Sequence, residues 1–313
     1  MSRAKNLAIS KPQFEGLAGA TADIKGKLVG FAWYLKKEGY QESTIRTWTK
    51  TLRQLIKLGA NLLDSDSVKD VIANRETWSE TTKANVASCF STFARSIGLS
   101  FNSPRYIITR KLPFIPTEKE LDQLIAACGK KTATFLQLLK ETAMRSGEAW
   151  RIEWIDLDTE TRTLTLNNPE KRGNSRMFKL SSKMVSMLQA LPKNSERIFP
   201  KSLKARRICF CGQRKKIAEK LQNPRINRIT FHTFRHWKAT MEYHKAKDIL
   251  YVKQLLGHKR IEATMIYTQL INFETDDYHV KVATSLKEAC DLVEAGFEYV
   301  TDMEQHKIFR KRK

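Results

Sequence analysis

The sequence predicts a mainly α protein with a small antiparallel β-sheet, built as an all-α domain followed by an α+β domain. Apolar residues recur at helical spacing through most of the chain, and the one clear alternation of apolar and polar residues lies at 161–180. A proline-bearing stretch at 102–116 separates the purely helical front part from the part that contains this alternation. At 313 residues the chain is long enough for two domains, each with its own core.

The charge of the chain indicates a polyanionic partner. With 56 Lys and Arg against 33 Asp and Glu, the formal net charge is +23, and such an excess is typical of proteins that bind nucleic acid. No run approaches the roughly 18 apolar residues that a membrane helix needs, and no signal-like apolar core follows the first residues. We therefore expect a DNA-binding protein without a membrane partner, located in the cytoplasm at the nucleoid.

The cysteines predict neither disulfides nor a metal site. All five are widely scattered, and their odd number is typical of free thiols in a reducing compartment. Cys209 and Cys211 have the spacing of half a metal site, but no second Cys or His pair lies at zinc-ligand spacing. We expect no metal.

The front part predicts a loose arm followed by four helices. Residues 1–27 contain a proline and three glycines without a sustained period, which favours a loose N-terminal arm. Apolar spacing and serine or glycine boundaries predict helices at 28–38, 43–59, 67–73 and 79–98. These four helices make a compact all-α domain at 28–101, and the three prolines of 102–116 predict an extended linker behind it.

Two basic surfaces are candidates for DNA contact. On the 43–59 helix, the face opposite the apolar residues carries Arg46, Lys50 and Arg53, and such a face is either solvated or lies against phosphates. A second basic run at 201–220 is interleaved with apolar residues, and for this run we favour DNA contact. Its candidate DNA-binding residues are Lys204, Arg206, Arg207, Arg214 and Lys215.

The second part, 117–313, combines helices with one hairpin. Its predicted helices ahead of the basic run lie at 117–128, which opens on capping-box spacing, and at 133–142, 145–150 and 184–191. Two segments at 161–180 are joined by turn residues, which predicts a β-hairpin with Lys171 and Arg172 near its tip. Over 268–306, nine acidic residues stand against two lysines, and apolar residues at 285–300 predict a C-terminal helix that docks on protein rather than on phosphate.

A cluster of residues suited to phosphate chemistry lies within 36 residues of the chain. Its members are His232, Arg235, His236, His258 and Tyr267. The first three are three and four residues apart at the start of a predicted helix, so their side chains share one face. A later helix ends at Gly257 and leaves the fourth member just beyond its end, nine residues before the tyrosine. Arginine and imidazole groups hold a phosphodiester well, and a phenol can attack it as a nucleophile.

Four motifs, in this order along the chain, resemble the signatures of the tyrosine recombinases of the phage-integrase type. They are Thr142-Ala143-Met144-Arg145-Ser146-Gly147-Glu148, His232-Thr233-Phe234-Arg235-His236, Leu256-Gly257-His258 and Tyr267. The match covers about 117–270, and the whole chain is similar to archaeal recombinases of the integrase type. The resemblance implies that 28–101 is a core-binding domain and 117–313 a tyrosine recombinase catalytic domain.

The resemblance also implies a role for each matching residue. The implied catalytic residues are Arg145, Lys171, His232, Arg235, His258 and Tyr267, supported by Glu148. The tyrosine would attack the phosphodiester to give a 3′-phosphotyrosyl link, while the two arginines hold the non-bridging oxygens. His258 would donate to the same phosphate, and His232 would accept the proton of the phenol. Lys171 occupies the place of the hairpin lysine that protonates the leaving 5′-oxygen, and its neighbour Arg172 competes for that role.

The resemblance thus implies a site-specific recombinase that acts on double-stranded DNA as a homo-tetramer on two sites. It would integrate or excise a mobile element, or resolve chromosome dimers by the same chemistry. No cofactor is implied, because the phosphotyrosine keeps the energy of the broken bond. One rival is a DNA-binding regulator without chemistry, which gives no reason for the cluster. A second is a metal-dependent nuclease built on the imidazoles, but no Glu follows His232 as in a zinc-hydrolase motif.

One residue departs from the pattern of the family. Ala143 stands two residues before the first arginine, where the family usually has glycine. Either the backbone there does not need a positive φ, or the turn is slightly altered.

Overall fold

The structure is a computed structural model that describes residues 17–109, 111–200, 202–270, 278–303 and 306–312. The chain divides into two compact units, Met1–Arg110 and Lys111–Lys313. The boundary falls inside the stretch predicted to be a linker. Among the described residues of that stretch there is neither helix nor strand, which agrees with the restriction that its prolines place on the backbone.

The first unit is all-α. Its helices are α1 (Leu17–Lys37), α2 (Glu42–Lys57), α3 (Ser65–Ala73) and α4 (Glu80–Ser96). The side chains of Asp64 and Ser79 accept hydrogen bonds from first-turn amides of α3 and α4, and these caps set where the two helices begin. Buried Phe31 meets buried Phe93 edge to face, with ring centroids 5.4 Å apart, so α1 and α4 share the aromatic centre of this core.

The predicted loose arm is wrong for residues 17–27, which form the first part of α1. Leu28, Phe31 and Leu35 are buried at helical spacing along this helix. Burial of that face outweighs the roughly 1 kcal/mol that a glycine such as Gly26 costs inside a helix. Residues 1–16 of the predicted arm lie outside the described residues.

The second unit begins with helices around one central helix. They are α5 (Glu118–Ala127), α6 (Lys130–Thr142), α7 (Ser146–Arg151), α8 (Ser182–Gln189), α9 (Leu203–Lys220), α10 (Phe231–Ala246) and α11 (Ile249–Leu256). The capping box predicted for α5 is present between Thr117 and Glu120. Helix α6 is buried along most of its length and packs against α5, α8 and α10, so it forms the centre of the unit.

The predicted hairpin is part of a three-stranded antiparallel sheet. Its strands are β1 (Leu157–Asp158), β2 (Thr163–Leu166) and β3 (Arg176–Lys179), in the order β1-β2-β3. Leu164 pairs with Phe178, and both side chains are buried on the face that meets the core. This register places the β2–β3 turn, with Lys171, beside the residues that follow α6 and α11.

A second sheet near the C-terminus was not predicted. It contains β4 (Tyr278–Ala283), β5 (Glu298–Met303) and β6 (His306–Arg312), in the order β4-β6-β5, with helix α12 (Leu286–Glu294) between its first two strands in sequence. The predicted docking helix at 285–300 is therefore wrong beyond Glu294. The sheet has a small core of Ala283, Ala289 and Phe309, and its other strand residues are mostly exposed, so they lack the alternation that identifies a strand.

None of the helices in the described ranges is long and apolar enough to cross a lipid bilayer.

Candidate active site

Helix α10 positions Arg235. Thr230 accepts a hydrogen bond from the Thr233 amide and so fixes the start of the helix. Arg235 follows in the next turn and is 2% exposed. Its Nη1 donates to the carbonyl oxygen of Ala143 and its Nη2 to that of Leu256, both at 2.6 Å. One guanidinium thus joins α10 to the residues that follow α6 and to the end of α11.

Ala143 ends α6 in the left-handed region, with φ of 55°. The alternative that this position does not need a positive φ is therefore wrong. Alanine adopts the conformation at a cost of roughly 1–2 kcal/mol. The turn presents its carbonyl oxygen to Arg235 and directs the chain toward Arg145 at the start of α7.

Glu148 is hydrogen-bonded to Arg145 through both of its carboxylate oxygens. It is 0% exposed, its Oε1 accepts from Nη1 of Arg145, and its Oε2 accepts from the Arg145 amide, both at 2.8 Å. The amide of Glu170, in the turn of the hairpin, also donates to Oε1 at 3.1 Å. Burial alone would raise the pKa of the Glu148 carboxyl, but the Arg145 amide and the charge of Arg176 hold that pKa below its ordinary value. The carboxylate is therefore ionised and joins α7 to the hairpin.

Arg176 is a site residue that the sequence did not reveal. It begins β3, is 9% exposed, and its Nη2 donates to Oε2 of Glu148 at 2.8 Å. Its Nη1 donates to the carbonyl oxygens of Leu255 and Leu256 at the end of α11. Arg176 therefore orients Glu148 on one side and the segment before His258 on the other. Its place at the first position of a short strand gave no separate signal.

The Leu-Gly-His motif places His258 beside Arg235. Gly257 ends α11 with φ of 63°, a backbone conformation that favours glycine. A Cβ atom at this position would also lie only 2.9 Å from the guanidinium of Arg176, which is a second reason for glycine. His258 Nε2 lies 3.0 Å from Nη2 of Arg235, and its Nδ1 lies 2.9 Å from Oγ1 of Thr264. Burial and the nearby charge of Arg235 lower the pKa of His258 to about 4. The ring is neutral at pH 7.

The structure brings His236, and not His232, to the hydroxyl of Tyr267. The tyrosine lies in the 3₁₀ segment Met265–Leu270, is 2% exposed, and its hydroxyl is 3.0 Å from His236 Nδ1. Burial, followed by the charges of His232 and Arg235, lowers the pKa of His236 to about 4. Its neutral Nδ1 can thus accept the phenolic proton. His232 is exposed, and its ring stacks edge-on against His236 with centroids 4.5 Å apart.

Positive charge dominates around the tyrosine. Glu148 is the one described carboxylate bonded to the guanidiniums of Arg145 and Arg176. The guanidinium of Arg235 is bonded to two carbonyl oxygens and to His258, and these groups carry no negative charge. Burial raises the pKa of the Tyr267 phenol, and Arg235 and Arg145 oppose that rise. An anion entering this site would therefore meet guanidiniums whose charge is only partly balanced.

Lys171 lies at the tip of the hairpin turn next to these residues. It is exposed and has φ of 56°. The pKa of His232 is lowered first by desolvation, then by the charge of Arg235, and then by the charge of Lys171. The Asn174 amide donates to the carbonyl oxygen of Gly257 at 3.3 Å and holds the turn against the end of α11. The side chain of its competitor Arg172 lies outside what the structure describes.

Residues 116–272, just over half of the chain, match the model of the phage integrase family. The chain belongs to the phage integrase family. Similar proteins include the tyrosine recombinase XerA of Pyrococcus furiosus, 25% identical over 259 residues that cover 77% of this chain and 88% of that protein. The tyrosine recombinase XerC of Pelotomaculum thermopropionicum is 26% identical over 183 residues, which cover 52% of this chain and 59% of that protein.

Solved structures of two integrases share the fold. A lambda integrase dimer bound to a COC′ core site superposes with a TM-score of 0.63 at 17% identity, covering 82% of this chain and 99% of that chain. The Tn1549 transposon integrase in complex with transposon right-end DNA superposes with a TM-score of 0.61 at 14% identity, covering 86% of this chain and 98% of that chain. The fold predicted for this integrase-family chain, mainly helical with small antiparallel sheets, is confirmed.

The candidate DNA-binding residues of this integrase-family chain differ in exposure. Arg46, Lys50 and Arg53 are exposed on α2, and the exposed candidates on α9 are Lys204, Arg207 and Lys215. Of the other two candidates, Arg206 is buried and Arg214 is half-buried. Arg214 stacks over the ring of Phe210 and donates to the carbonyl oxygen of Ile229, so it ties α9 to the segment before α10.

Within the described part of the chain, His236 and His258 face different partners. His236 faces the tyrosine and His258 faces Arg235 and Thr264. Across the described ranges, no three His, Cys, Asp or Glu side chains are grouped as metal ligands. The arrangement therefore gives no support to the metal-dependent nuclease.

Proposed function

We propose that the protein is a site-specific DNA recombinase that cleaves and rejoins DNA through a 3′-phosphotyrosyl intermediate. The observation that carries this proposal is the convergence of Tyr267, Arg235 and His258 with Arg145, which lies 90 residues before Arg235 in the sequence. A DNA-binding regulator would have no use for a buried phenol hydrogen-bonded to a neutral imidazole beside two guanidiniums.

In the cleavage step, the phenolic oxygen of Tyr267 attacks the phosphorus and the P–O5′ bond breaks. The oxygen–phosphorus bond forms as the phenolic proton leaves, and His236 Nδ1, 3.0 Å from the hydroxyl, is placed to accept it. Arg145 and Arg235 stabilise the charge on the non-bridging oxygens, and His258 becomes a further donor when its Nε2 takes up a proton. Religation reverses the same steps with a different 5′-hydroxyl. The role predicted for His232 as the proton acceptor stays a prediction.

Formation of the covalent intermediate tests this function. The substrates are nicked duplexes that tile any direct repeats flanking the gene. After cleavage the short fragment that carries the free 5′-hydroxyl diffuses away, and the adduct accumulates. We expect an SDS-stable protein–DNA adduct from the wild type and from Tyr251→Phe, whose tyrosine is exposed. Tyr267→Phe should give none. If adduct formation survives in Tyr267→Phe, the assignment of the nucleophile is overturned.

The same assay tests the metal-independence of the reaction. Because the guanidiniums of Arg145 and Arg235 supply the positive charge, adduct formation should be unchanged in EDTA. Loss of activity in EDTA that returns with Mg²⁺ would contradict the proposed chemistry.

A DNA substrate whose leaving group needs no proton tests whether Lys171 protonates the 5′-oxygen. If Lys171 protonates the 5′-oxygen, Lys171→Met should cleave an ordinary duplex roughly 10²–10⁴-fold more slowly. A duplex with sulfur in place of the bridging 5′-oxygen should be cleaved at the wild-type rate, because a thiolate leaves without a proton. Arg172→Met is the matched variant, and rescue of that variant instead would assign the role to Arg172.

Assembly into a tetramer on two DNA sites is part of the proposal. Helix α12 carries Leu286 and Val293 on one exposed face, with fractional exposures of 78% and 58%. Such a face fits a second copy of the chain. Leu286→Ser/Val293→Ser should retain cleavage at a single site and lose the synaptic complex in a native gel. Ile155→Ser, which removes an exposed apolar side chain elsewhere, is the control. Intact synapsis in the double variant would refute docking through α12.

The exposed bases support a DNA-facing role in the cytoplasm at the nucleoid. Replacing one exposed Lys or Arg that neutralises a DNA phosphate should reduce the slope of log affinity against log salt concentration by about 0.9. Integration of a mobile element is the proposed role, and chromosome-dimer resolution is the alternative. Direct repeats that flank the gene and recombine in cells favour the first role, and a single chromosomal site used after replication favours the second.

A further inference from the structure

A cavity of 210 Å³ lies on the second unit, away from the groups that surround Tyr267. It opens between the first turn of α6, the N-terminal half of α9 and the loop after α8. Its lining includes Lys131, Asn194, Ser195, Phe199, Pro200 and Arg206. Two cations and two hydrogen-bonding side chains thus meet on one concave surface, and there is no carboxylate among its described lining residues.

Arg206 is buried at this cavity, and no acidic side chain among the described residues pairs with it. The residue is 8% exposed, and its guanidinium lies over the ring of Trp150 at 5.7 Å. Within the described ranges, its one hydrogen bond runs from Nη1 to Oγ1 of Thr132 at 3.5 Å, and its Nε has no acceptor. The other buried guanidiniums differ, because Arg176 has a carboxylate and Arg235 has two carbonyl oxygens. Arg206 is thus a buried cation with unused donors.

The backbone beside Arg206 adds further positive potential. Helix α6 begins at Lys130 after Gly129, which has no side chain to cap it. The first amides of a helix point outward and favour an anion. Lys131 in this first turn lines the cavity, and Thr132 holds the guanidinium.

Burial of a guanidinium is unfavourable unless its charge is balanced and its donors are used. A tetrahedral oxyanion matches the need, since two of its oxygens can accept the fork of one guanidinium while a third faces an ammonium. Phe199 and Pro200 exclude water from one side of the cavity and would strengthen such an interaction.

We propose that this cavity is a phosphate-binding site, separate from the catalytic cluster, in which Arg206 and Lys131 hold the phosphate group. The group comes either from the DNA backbone beside the cleavage site or from a free phosphorylated ligand. The site itself does not depend on recombinase activity, and only the DNA source rests on the function proposed above.

Thermal unfolding of the full chain tests the site with inorganic phosphate as the probe. At constant ionic strength, replacing chloride by phosphate at about ten times its dissociation constant should raise the Tm of the wild type by roughly 3 °C. Arg206→Met should abolish this rise, and Arg207→Met, which changes the exposed neighbour, should keep it. A rise of equal size in wild type and Arg206→Met overturns the proposal, as does no rise in the wild type up to about 50 mM phosphate.

A second variant guards against a folding defect in Arg206→Met. Lys131 is exposed, so Lys131→Met leaves the core intact and should weaken phosphate binding about tenfold, measured by calorimetric titration. Unchanged binding in Lys131→Met overturns its assigned part. In chloride alone, Arg206→Met should unfold at the same temperature as the wild type or higher, because it removes an unbalanced buried charge. A purely structural stacking role would lower the Tm in both anions.

Duplex DNA separates the two sources. If saturating DNA eliminates the Arg206-dependent effect of phosphate, the DNA backbone fills the cavity. Persistence of the effect in the presence of DNA assigns the cavity to a free ligand. Both outcomes keep the phosphate site, and neither depends on whether Tyr267 forms an adduct.

Discussion

Removal of Arg176 should destabilise the second unit more than any exposed arginine does. Arg176→Met keeps the apolar stem but takes one partner from Glu148, whose side chain is 0% exposed. Breaking a buried ion pair by removing one partner costs about 3–5 kcal/mol. Glu148 keeps its bonds to Arg145 and to the Glu170 amide, which places the expected loss near the lower limit, at about 3 kcal/mol.

Urea unfolding at pH 7, followed by tryptophan fluorescence, measures this loss. Arg197→Met, at an exposed position, should change the free energy of unfolding by less than about 0.5 kcal/mol. In a double-mutant cycle with Glu148→Gln, the two losses should fall short of additivity by at least about 1.5 kcal/mol, because the residues share one interaction. A loss below about 1 kcal/mol for Arg176→Met, or strict additivity, would refute the view that this pair organises the site.

Three further predictions concern the tyrosine, the turn before Arg145 and pH. His236→Ala should slow single-turnover adduct formation roughly 10²–10⁴-fold with DNA affinity unchanged, and a rate within about threefold of wild type would return the acceptor role to His232. Ala143→Gly should leave the free energy of unfolding within about 0.5 kcal/mol of wild type, because relief of the left-handed strain offsets the lost methyl group. Ala133→Gly, inside α6, is the control and should cost about 1 kcal/mol in the same assay. His236 and His258 have folded pKa values of about 4, below the ordinary 6.5. The unfolded chain therefore takes up protons first, and the contribution of these groups to stability should fall from pH 6.5 to pH 4 and then level off. Urea midpoints should decline less steeply with pH in His258→Gln than in the wild type, and an equal slope would contradict the assignment.

The sequence predicted those parts of the site that local geometry determines. Helical spacing placed His232 and Arg235 on one turn, and Gly257 marked the end of α11 with His258 just beyond it. Spacing could not decide which imidazole meets Tyr267, because His232 and His236 lie on the same helical face. The direction from which the 3₁₀ segment of the tyrosine approaches makes that choice, and it depends on tertiary packing.

Arg176 and Arg206 show why the remaining residues were missed or misjudged. A buried arginine is recognised by its partners, and those of Arg176 lie 28 and 80 residues away in the chain. Arg206 was named as a candidate for DNA contact because its neighbours in the run are basic residues. Its spacing of four residues from buried Phe210, and of eleven from buried Ile217, was the signal that it faces the core.

The balance of charge in the site links DNA binding to proton uptake. Burial and positive neighbours keep His236 and His258 neutral, with pKa values of about 4. A scissile phosphate would bring negative charge against Arg145 and Arg235 and oppose the effect of those neighbours, so the pKa of His258 should rise when DNA binds. Linkage is reciprocal, and a group that gains a proton on binding makes binding tighter as the pH falls. DNA affinity of Tyr267→Phe, which cannot react, should therefore increase between pH 7 and pH 5, and His258→Gln should reduce that increase. A pH-independent affinity in Tyr267→Phe would mean that the phosphate does not enter between these guanidiniums, and it would remove the electrostatic basis of the proposed mechanism.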